Sequence, residues 1–348
     1  MNQTDTPLVS VLTPVYNGEA FLEACIESVL KQTYSNYEYI IVNNRSTDRT
    51  LDIALSYAKQ DARIRVHDNT EFVPVIANHN IAFGLISQAA KYCKVVSADD
   101  FLFPDCLSRL VECGEANPSV GIIGSYQLSG DQVRWQGFRY PRAVIPGGEM
   151  CRDVFLRGDK NFGFGSPTSL MYRADLVRAT RQFYPNESPH ADSSACFEQL
   201  QRSDFGFVFQ VLSYELKHEA TQSTMSEKLN RGASANLNDA VRYGPGCLSP
   251  QEFKAHVDEL LHAYHRYLAA NYLFEARGDD FWSYHKGRLA ELGFPLRGVD
   301  LLGAVVRELL HPANAIEKMS KRLAASRARR QGLSERPKEL ETRRASVR

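Results

Sequence analysis

The amino-acid sequence predicts an α/β protein, with a mostly parallel sheet flanked by helices and a helical appendage towards the C-terminal end. Two observations predict this class. Over the first hundred residues, apolar β-branched runs alternate with amphipathic segments of about ten to fifteen residues, which is typical of β-α-β units. From residue 226 onward helical periodicity dominates, most clearly over 249–278 and 299–310.

The predicted elements follow one another in the order that a parallel sheet requires. Strands are expected at 8–16, 37–44, 63–69, 92–96, 119–128, within 163–177 and at 205–218. Helices are expected at 19–31, 51–58, 74–90 and 190–201, with Ser46 or Thr47 as the cap of the second. Because ligands bind at the carboxyl ends of such strands, the breaks TPVYNG, VNNRSTD and SADD should meet at one edge.

The composition is that of an ordinary globular protein. The 348 residues are 43% apolar and 24% charged and carry no net charge, so no overall field favours nucleic acid as a partner. Seven cysteines without a C-x-x-C pair favour free thiols in a reducing compartment. The start resembles no signal peptide, and no apolar run approaches the roughly 20 residues of a membrane span, so we expect a cytoplasmic protein.

Two adjacent carboxylates stand out in KVVSADDFLF (94–103). Asp99 and Asp100 follow the end of an apolar strand and precede further apolar residues. Like charges side by side repel, and removing them from water is expensive. One interpretation is a surface turn that caps the next helix. The other is a site for a divalent cation, which carboxylate oxygens bind well.

The segment VSVLTPVYNGEAFLEACIESVLKQTYSNYEYIIVNNRSTDRT resembles the opening of family-2 glycosyltransferases, and the similarity runs from about residue 8 to about 224. The resemblance implies the Rossmann-like GT-A fold. It also implies inverting transfer of a sugar from a nucleotide-diphosphate sugar to a hydroxyl acceptor, a glycan or lipid-linked oligosaccharide in polysaccharide biosynthesis. The expected domains are a GT-A domain at 1–225, with a nucleotide-sugar half at 8–103 and an acceptor half at 104–225, a helical appendage at 226–315 and a basic, partly disordered tail at 316–348.

The SADD element resembles the family's D-x-D motif, with Ser97 in place of the usual first Asp. The resemblance implies that Asp100 and Asp99 hold Mg²⁺ or Mn²⁺ and contact the donor ribose, without deciding which does which. A divalent cation suits this chemistry because it neutralises the diphosphate as it departs.

The nucleotide-binding residues implied by the resemblance lie at the ends of the first two strands. Thr13, Pro14 and Tyr16 would line the base, although Tyr16 could instead fill the core. Asn43 and Asn44 stand where the family carries acidic residues. Because an Asn amide can accept or donate, uridine, thymidine and guanosine carriers all remain open.

Three further donor contacts are implied by position alone, and a surface role is as good an interpretation of each. Asn80 lies on the helix before the paired carboxylates, and Lys217 and His218 lie in the exit segment YELKHEATQST. Asp48 is expected to cap a helix and is given no catalytic role.

Asp192 in HADSSACFEQL is the candidate general base, because it matches the Asp of the family's E-D element while Ala191 replaces the Glu. A positioned carboxylate takes the proton from an attacking hydroxyl in inverting transfer. The alternative is that Asp192 caps the following helix. His190, Glu187 and Glu198 are weaker candidates.

The alternative function is a non-catalytic nucleotide-sugar-binding or scaffold protein on the same fold. It is favoured by the replacement of several acids of the family, at Ser97, Asn43, Asn44 and Ala191. The C-terminal helices and basic tail could lie on the anionic inner face of a membrane, or the tail could simply be solvated.

Overall fold

The computed structural model describes residues 6–159, 161–186, 188, 190–216, 232–275 and 277–310. The chain divides into two compact units, one up to Asp258 and one from Glu259. Lys217, His218, Glu187 and the predicted tail at 316–348 lie outside the described residues. The domain boundaries expected near 225 and 315 stay predictions.

The first unit is built on one mixed sheet, which has ten strands within the described residues. The strands are β1 Leu8–Val15, β2 Tyr37–Asn43, β3 Ile64–Asp68, β4 Ala90–Val95, β5 Phe101–Leu102, β6 Val120–Ser129, β7 Gln132–Arg134, β8 Val144–Ile145, β9 Leu170–Arg173 and β10 Asp204–Glu215. Their order is β3-β2-β1-β4-β9-β6-β10-β5, with β7 beside β6 and β8 beside β10. The pairs β3-β2, β2-β1, β1-β4 and β6-β10 are parallel, and β9 is antiparallel to both of its neighbours. The predicted α/β class with a mostly parallel sheet is confirmed.

The helices are given in chain order, and the last two lie in the second unit. They are α1 Leu22–Leu30, α2 Thr50–Ala58, α3 Val75–Gly84, α4 Cys106–Ala116, α5 Gly147–Leu156, α6 Ala174–Arg178, α7 Ala191–Gln199, α8 Gly232–Tyr243, α9 Pro250–Phe274, α10 Asp279–Glu291 and α11 Gly298–Leu309. The predicted C-terminal helices are therefore present. The helix expected over 249–278 ends at Phe274, and the helix expected over 74–90 ends at Gly84 because β4 already begins at Ala90.

Two apolar clusters cover the two faces of the sheet. Alternate residues of one strand enter different clusters: Leu12 and Cys93 lie in the first, and Val11 and Tyr92 in the second. Because both faces are buried, the strands read as unbroken apolar runs in the sequence. This layering leaves the strand ends and the loops that follow them as the places where polar groups can gather.

Candidate active site

The three predicted breaks meet at the carboxyl edge of the sheet. The backbone N–H of Asn17 donates to Ser46 Oγ at 2.9 Å, and the N–H of Thr47 donates to Asn17 Oδ1 at 2.8 Å. Gly18 lies against Ala98 of the SADD segment and donates its N–H to Thr50 Oγ1 at 2.8 Å. Loops from β1, β2 and β4 therefore form one connected surface.

The start of α2 differs from the sequence prediction. The helix begins at Thr50, and Asp48 Oδ1 accepts the Thr50 N–H at 3.0 Å. The expectation that Ser46 or Thr47 caps this helix is wrong, because the Ser46 hydroxyl accepts from Asn17 instead. Asp48 Oδ2 also accepts the Glu19 N–H at 3.1 Å, so this carboxylate joins two loops.

The side chains expected to line the nucleotide base differ in their exposure to solvent. Thr13 is fully buried, with Oγ1 2.9 Å from the Tyr39 hydroxyl and donating to the Val96 carbonyl at 3.0 Å, so this residue offers no surface to a ligand. Tyr16 is 47% exposed, and its ring meets that of Phe72 edge-on with centroids 4.9 Å apart. Phe72 is itself 59% exposed, and the sequence analysis missed it. Pro14 is half-buried.

Asn43 and Asn44 are both buried but are used differently. The Asn44 amide donates to the Val73 carbonyl at 2.8 Å and accepts from the Val73 N–H and from Asn69 Nδ2, each at 3.0 Å. Asn43 donates to Asp68 Oδ1 at 2.7 Å, while its own oxygen accepts only a 3.3 Å bond from the Ser46 N–H among the described residues. Asn44 therefore shapes the loop, whereas Asn43 keeps acceptor capacity.

Two polar groups beside this pair escaped the sequence analysis. Asp68, at the end of β3, accepts from Asn43, and its Oδ2 lies 3.5 Å from Arg45 Nη1. Asn69 donates to Asn44 and to Asn78 Oδ1, but within the described chain its own buried Oδ1 has no donor. A buried acceptor without a donor is costly, and a ligand N–H would satisfy it.

Asp100 is the buried member of the paired carboxylates. It is 6% exposed, with Oδ2 accepting from Thr168 Oγ1 at 2.6 Å and Oδ1 accepting from the Leu216 N–H at 3.1 Å. Burial, together with the nearby Asp99 and Glu215 carboxylates, raises the pKa of this carboxyl to about 7. Asp99 is half-buried. The arrangement concentrates negative charge at one point of the carboxyl edge.

Asp192 lies in the first turn of α7, which begins at Ala191 after His190. It is one residue inside the helix, so the interpretation of Asp192 as the helix cap is wrong. Among the described residues its carboxylate accepts no hydrogen bond, and its charge acts on the half-buried His79 of α3, whose pKa is lowered by desolvation. Asp192 is therefore a half-buried carboxylate that no hydrogen bond from the described part of the chain holds in place.

Asn80 ties the segment before α7 to α3. Its amide donates to the Tyr184 carbonyl at 2.8 Å and accepts the Tyr184 N–H at 2.9 Å, and it also donates to Asn186 Oδ1 at 3.1 Å. Because Asn78 of the same helix donates to the Val42 carbonyl near the end of β2 at 3.4 Å, this bridge connects the segment around Tyr184 to a helix that begins at the carboxyl edge. Both hydrogens of the amide group are used in doing so.

Comparison with known proteins decides the family. Residues 10–180 match the model described as glycosyl transferase family 2. The chain belongs to this family. An uncharacterized glycosyltransferase of Haemophilus influenzae is 26% identical over 246 residues, which are 68% of this chain and 74% of the relative.

Two solved structures share the fold of this glycosyltransferase. Staphylococcus aureus TarS 1-349 in complex with UDP-GlcNAc superposes with a TM-score of 0.59 at 15% identity, over 82% of this chain and 80% of TarS 1-349. The mannosyltransferase PcManGT of Pyrobaculum calidifontis, in complex with GDP-Man and Mn²⁺, gives 0.55 at 17% identity over 88% of each chain. The GT-A fold is confirmed.

The donor set of the glycosyltransferase suits a divalent cation that shares its ligands with a substrate. The described part of the chain contains no cluster of three or more His, Cys, Asp or Glu able to hold a metal unaided. Mg²⁺ and Mn²⁺ in phosphate-transfer sites use one or two carboxylates plus the phosphates, and Asp99 with Asp100 provides that number. Each Asp100 oxygen accepts one hydrogen bond from the described residues, which leaves lone pairs for a cation.

A second buried acid lies behind α7 and was missed by the sequence analysis. Asp239 of α8 accepts from Ser194 Oγ at 2.5 Å and from Asn238 Nδ2 at 3.2 Å. Burial raises its pKa to about 6, and the Asp192 charge adds to the rise. Asp239 therefore anchors the first turns of the helix that carries Asp192.

Asp239→Asn is expected to stabilise the protein above pH 6. Because the folded-state pKa lies above the ordinary value near 4, the native state binds more protons than the unfolded state between about pH 4 and 6, and wild-type stability falls across that window. Urea unfolding should show the variant more stable by up to about 3 kcal/mol at pH 7.5, with the difference fading towards pH 4. A difference that is independent of pH would contradict this account.

No helix among the described residues is long and apolar enough to cross a membrane.

Proposed function

We propose that this chain is an inverting glycosyltransferase that moves a sugar from a nucleotide-diphosphate sugar to a hydroxyl group of a glycan or lipid-linked acceptor in polysaccharide biosynthesis. The observation that carries the proposal is the Asp192 carboxylate, which accepts no hydrogen bond from the described residues and acts electrostatically on His79 of α3, a helix whose Asn78 reaches the end of β2. Family membership supports the sugar transfer, and this arrangement supports the roles below.

The nucleoside is proposed to bind at the ends of β1, β2 and β3. Tyr16 offers an exposed ring for stacking on the base, with Phe72 beside it, and the half-buried Pro14 is proposed as a further contact. The Asn43 and Asn69 oxygens are acceptors for base N–H groups, while Asn44 and Asn80 hold the surrounding loops.

The diphosphate is proposed to lie beside Asp99 and Asp100, which would hold Mg²⁺ or Mn²⁺, with Asp99 also within reach of the ribose. A bound cation supplies the positive charge that stabilises the departing diphosphate. Lys217 and His218 are proposed as further diphosphate contacts because they follow β10 directly, and the Leu216 N–H already reaches Asp100.

Asp192 is proposed to take the proton of the acceptor hydroxyl. The hydroxyl oxygen forms a bond to the anomeric carbon while the bond from that carbon to the diphosphate oxygen breaks. The proton passes to the Asp192 carboxylate, and the electron pair leaves with the nucleoside diphosphate. Attack on the face opposite the leaving group inverts the anomeric centre.

The proposal is tested with a panel of UDP-, GDP-, dTDP- and CDP-sugars in the presence of Mn²⁺, with release of the nucleoside diphosphate as the signal. Release from one nucleotide class, dependent on metal, is the expected result. No release from any donor, with or without simple sugar acceptors, would favour the alternative of a non-catalytic binding protein. The replacements at Ser97 and Ala191 are the observations behind that alternative.

Tyr16→Ala is expected to weaken binding of the cognate nucleotide by roughly 10-fold, because stacking on one base contributes about 1–3 kcal/mol. Phe72→Ala should have a smaller effect, since the proposed role of its ring is to support the Tyr16 ring that it meets edge-on. Tyr140→Ala, which removes another highly exposed ring, is the control. Equal affinities in all three variants would place the base elsewhere.

We also propose peripheral contact with the inner face of the membrane. Exposed apolar residues lie in α11 and just after it, namely Val299, Leu302, Val306, Leu309 and Leu310. Further along the sequence, residues 316–348 contain eleven Lys and Arg residues against four Glu residues. Apolar side chains next to positive charge favour anionic lipid. Co-sedimentation with anionic vesicles but not with neutral ones is expected, and equal recovery with both would contradict the contact.

A further inference from the structure

Lys94 is a charged residue inside the apolar interior of the nucleotide-binding half. It lies in β4 with no exposed surface, opposite Val11 on one side and Met171 on the other. Both neighbours belong to the same apolar cluster. Burial lowers the pKa of Lys94 to about 8, which shows how poorly this environment suits a cation. A residue needed only for packing would be apolar here.

The Lys94 ammonium group is held by backbone carbonyls. Nζ donates to the carbonyl of Thr168, and to that of Leu170 at 3.0 Å. These carbonyls flank the end of a single 3-10 turn, Pro167–Ser169, and the start of β9. An apolar side chain in place of Lys94 would leave both buried acceptors without this donor.

The same turn reaches the paired carboxylates. Thr168, which is also fully buried, donates its hydroxyl to Asp100 Oδ2 at 2.6 Å and accepts the Ser97 N–H at 3.0 Å. Two steps therefore connect Lys94 to Asp100: the ammonium group holds the Thr168 backbone, and the Thr168 hydroxyl holds the carboxylate. The turn belongs to the acceptor half of the sequence, whereas Lys94 and Asp100 belong to the nucleotide half.

We propose that Lys94 and Thr168 are positioning residues that set the orientation of the Asp100 carboxylate for a divalent cation. Groups that orient a metal ligand typically change metal affinity 10- to 100-fold when they are removed. The inference rests on the proposed function, since it takes Asp100 as a metal ligand. It also means that a change in the segment that leads into β9 would change the affinity of the site for the metal.

The test compares Thr168→Val, which keeps the shape of the side chain and removes its hydroxyl, with Thr168→Ser, which keeps the hydroxyl. Calorimetry measures the affinity of the cognate nucleoside diphosphate with and without Mn²⁺, and thermal unfolding is followed without metal. Thr168→Val should weaken the Mn²⁺-dependent affinity at least 10-fold, and Thr168→Ser should stay within about 3-fold of wild type. Lys94→Met should weaken it similarly and also lower the unfolding temperature.

Ser10→Ala is the matched control. Ser10 is another fully buried hydroxyl that donates to a carboxylate, Glu38 Oε1 at 2.5 Å, but it lies in the amino-terminal half of β1. This variant should lose stability without losing Mn²⁺-dependent affinity. Wild-type affinity in Thr168→Val would overturn the inference and leave the proposed function intact. If the wild type shows no metal-dependent nucleotide binding, the proposed metal site fails and the inference falls with it.

Discussion

Asp192→Asn is expected to lower the rate of sugar transfer by a factor of about 10² to 10⁴ while nucleotide affinity stays close to that of the wild type. The amide has nearly the same shape as the carboxylate but cannot take the acceptor proton. Because the described residues give the Asp192 carboxylate no hydrogen bond, the substitution should not disturb the fold. Steady-state kinetics together with nucleotide titration separate these two effects.

Glu198→Gln is the control for this experiment, since it changes an acid to its amide on the same helix without touching the proposed base. It should transfer sugar at nearly the wild-type rate. Retained turnover in Asp192→Asn would remove this residue from the chemistry. Loss of nucleotide binding in the same variant would assign it to the donor instead.

Asp100→Asn is expected to remove metal-dependent turnover and at the same time to stabilise the metal-free protein. Burial beside Asp99 and Glu215 raises the pKa of Asp100 to about 7, so wild-type stability falls as pH rises from about 4 to 7. Above pH 7 the ionised wild type bears the full cost of the buried charge, which is up to about 4 kcal/mol. Asparagine carries no charge and its oxygen can accept from Thr168, but its NH₂ group then faces the Leu216 N–H, so the net gain is smaller than this cost.

Urea unfolding at pH 8 without metal, combined with an activity assay with Mn²⁺, measures both halves of this prediction. Asp131→Asn, at an exposed acid, serves as the control and should change neither property. A variant that is less stable than wild type at pH 8 would mean that Asp100 is a structural acid. A variant that keeps metal-dependent turnover would move the cation away from Asp100.

The strands and their ends were predictable because their signals are local. Each parallel strand buried on both faces is a short apolar run, and the parallel arrangement alone brings successive strand ends to one edge. Helix α4 had a comparable signal that the sequence analysis passed over, since Cys106, Leu107, Leu110 and Val111 are buried at helical spacing.

The contacts that complete the candidate site could not be predicted in the same way. Thr168 and Leu216 contact Asp100 across 68 and 116 residues of sequence. The residues around a turn or a strand end do not indicate which distant residue it will contact. Whether an asparagine faces a ligand or its own loop is likewise decided by tertiary neighbours, as Asn43 and Asn44 show.

The direction of Thr13 did have a local signal. A strand alternates its side chains between two faces, and Thr13 shares the parity of Val9, Val11 and Val15, all of which lie in the second apolar cluster. Parity therefore predicts a Thr13 side chain inside the core. The structure places it there, against the Tyr39 hydroxyl.

The central claim is that the paired carboxylates bind a divalent cation together with a nucleoside diphosphate. Calorimetric titration of the wild type with UDP, GDP, dTDP and CDP, each with and without Mn²⁺, tests it most directly. The account predicts that one nucleotide binds and that its affinity increases at least 10-fold with Mn²⁺. Binding that is unchanged by Mn²⁺ for every nucleotide, or no binding at all, would contradict it.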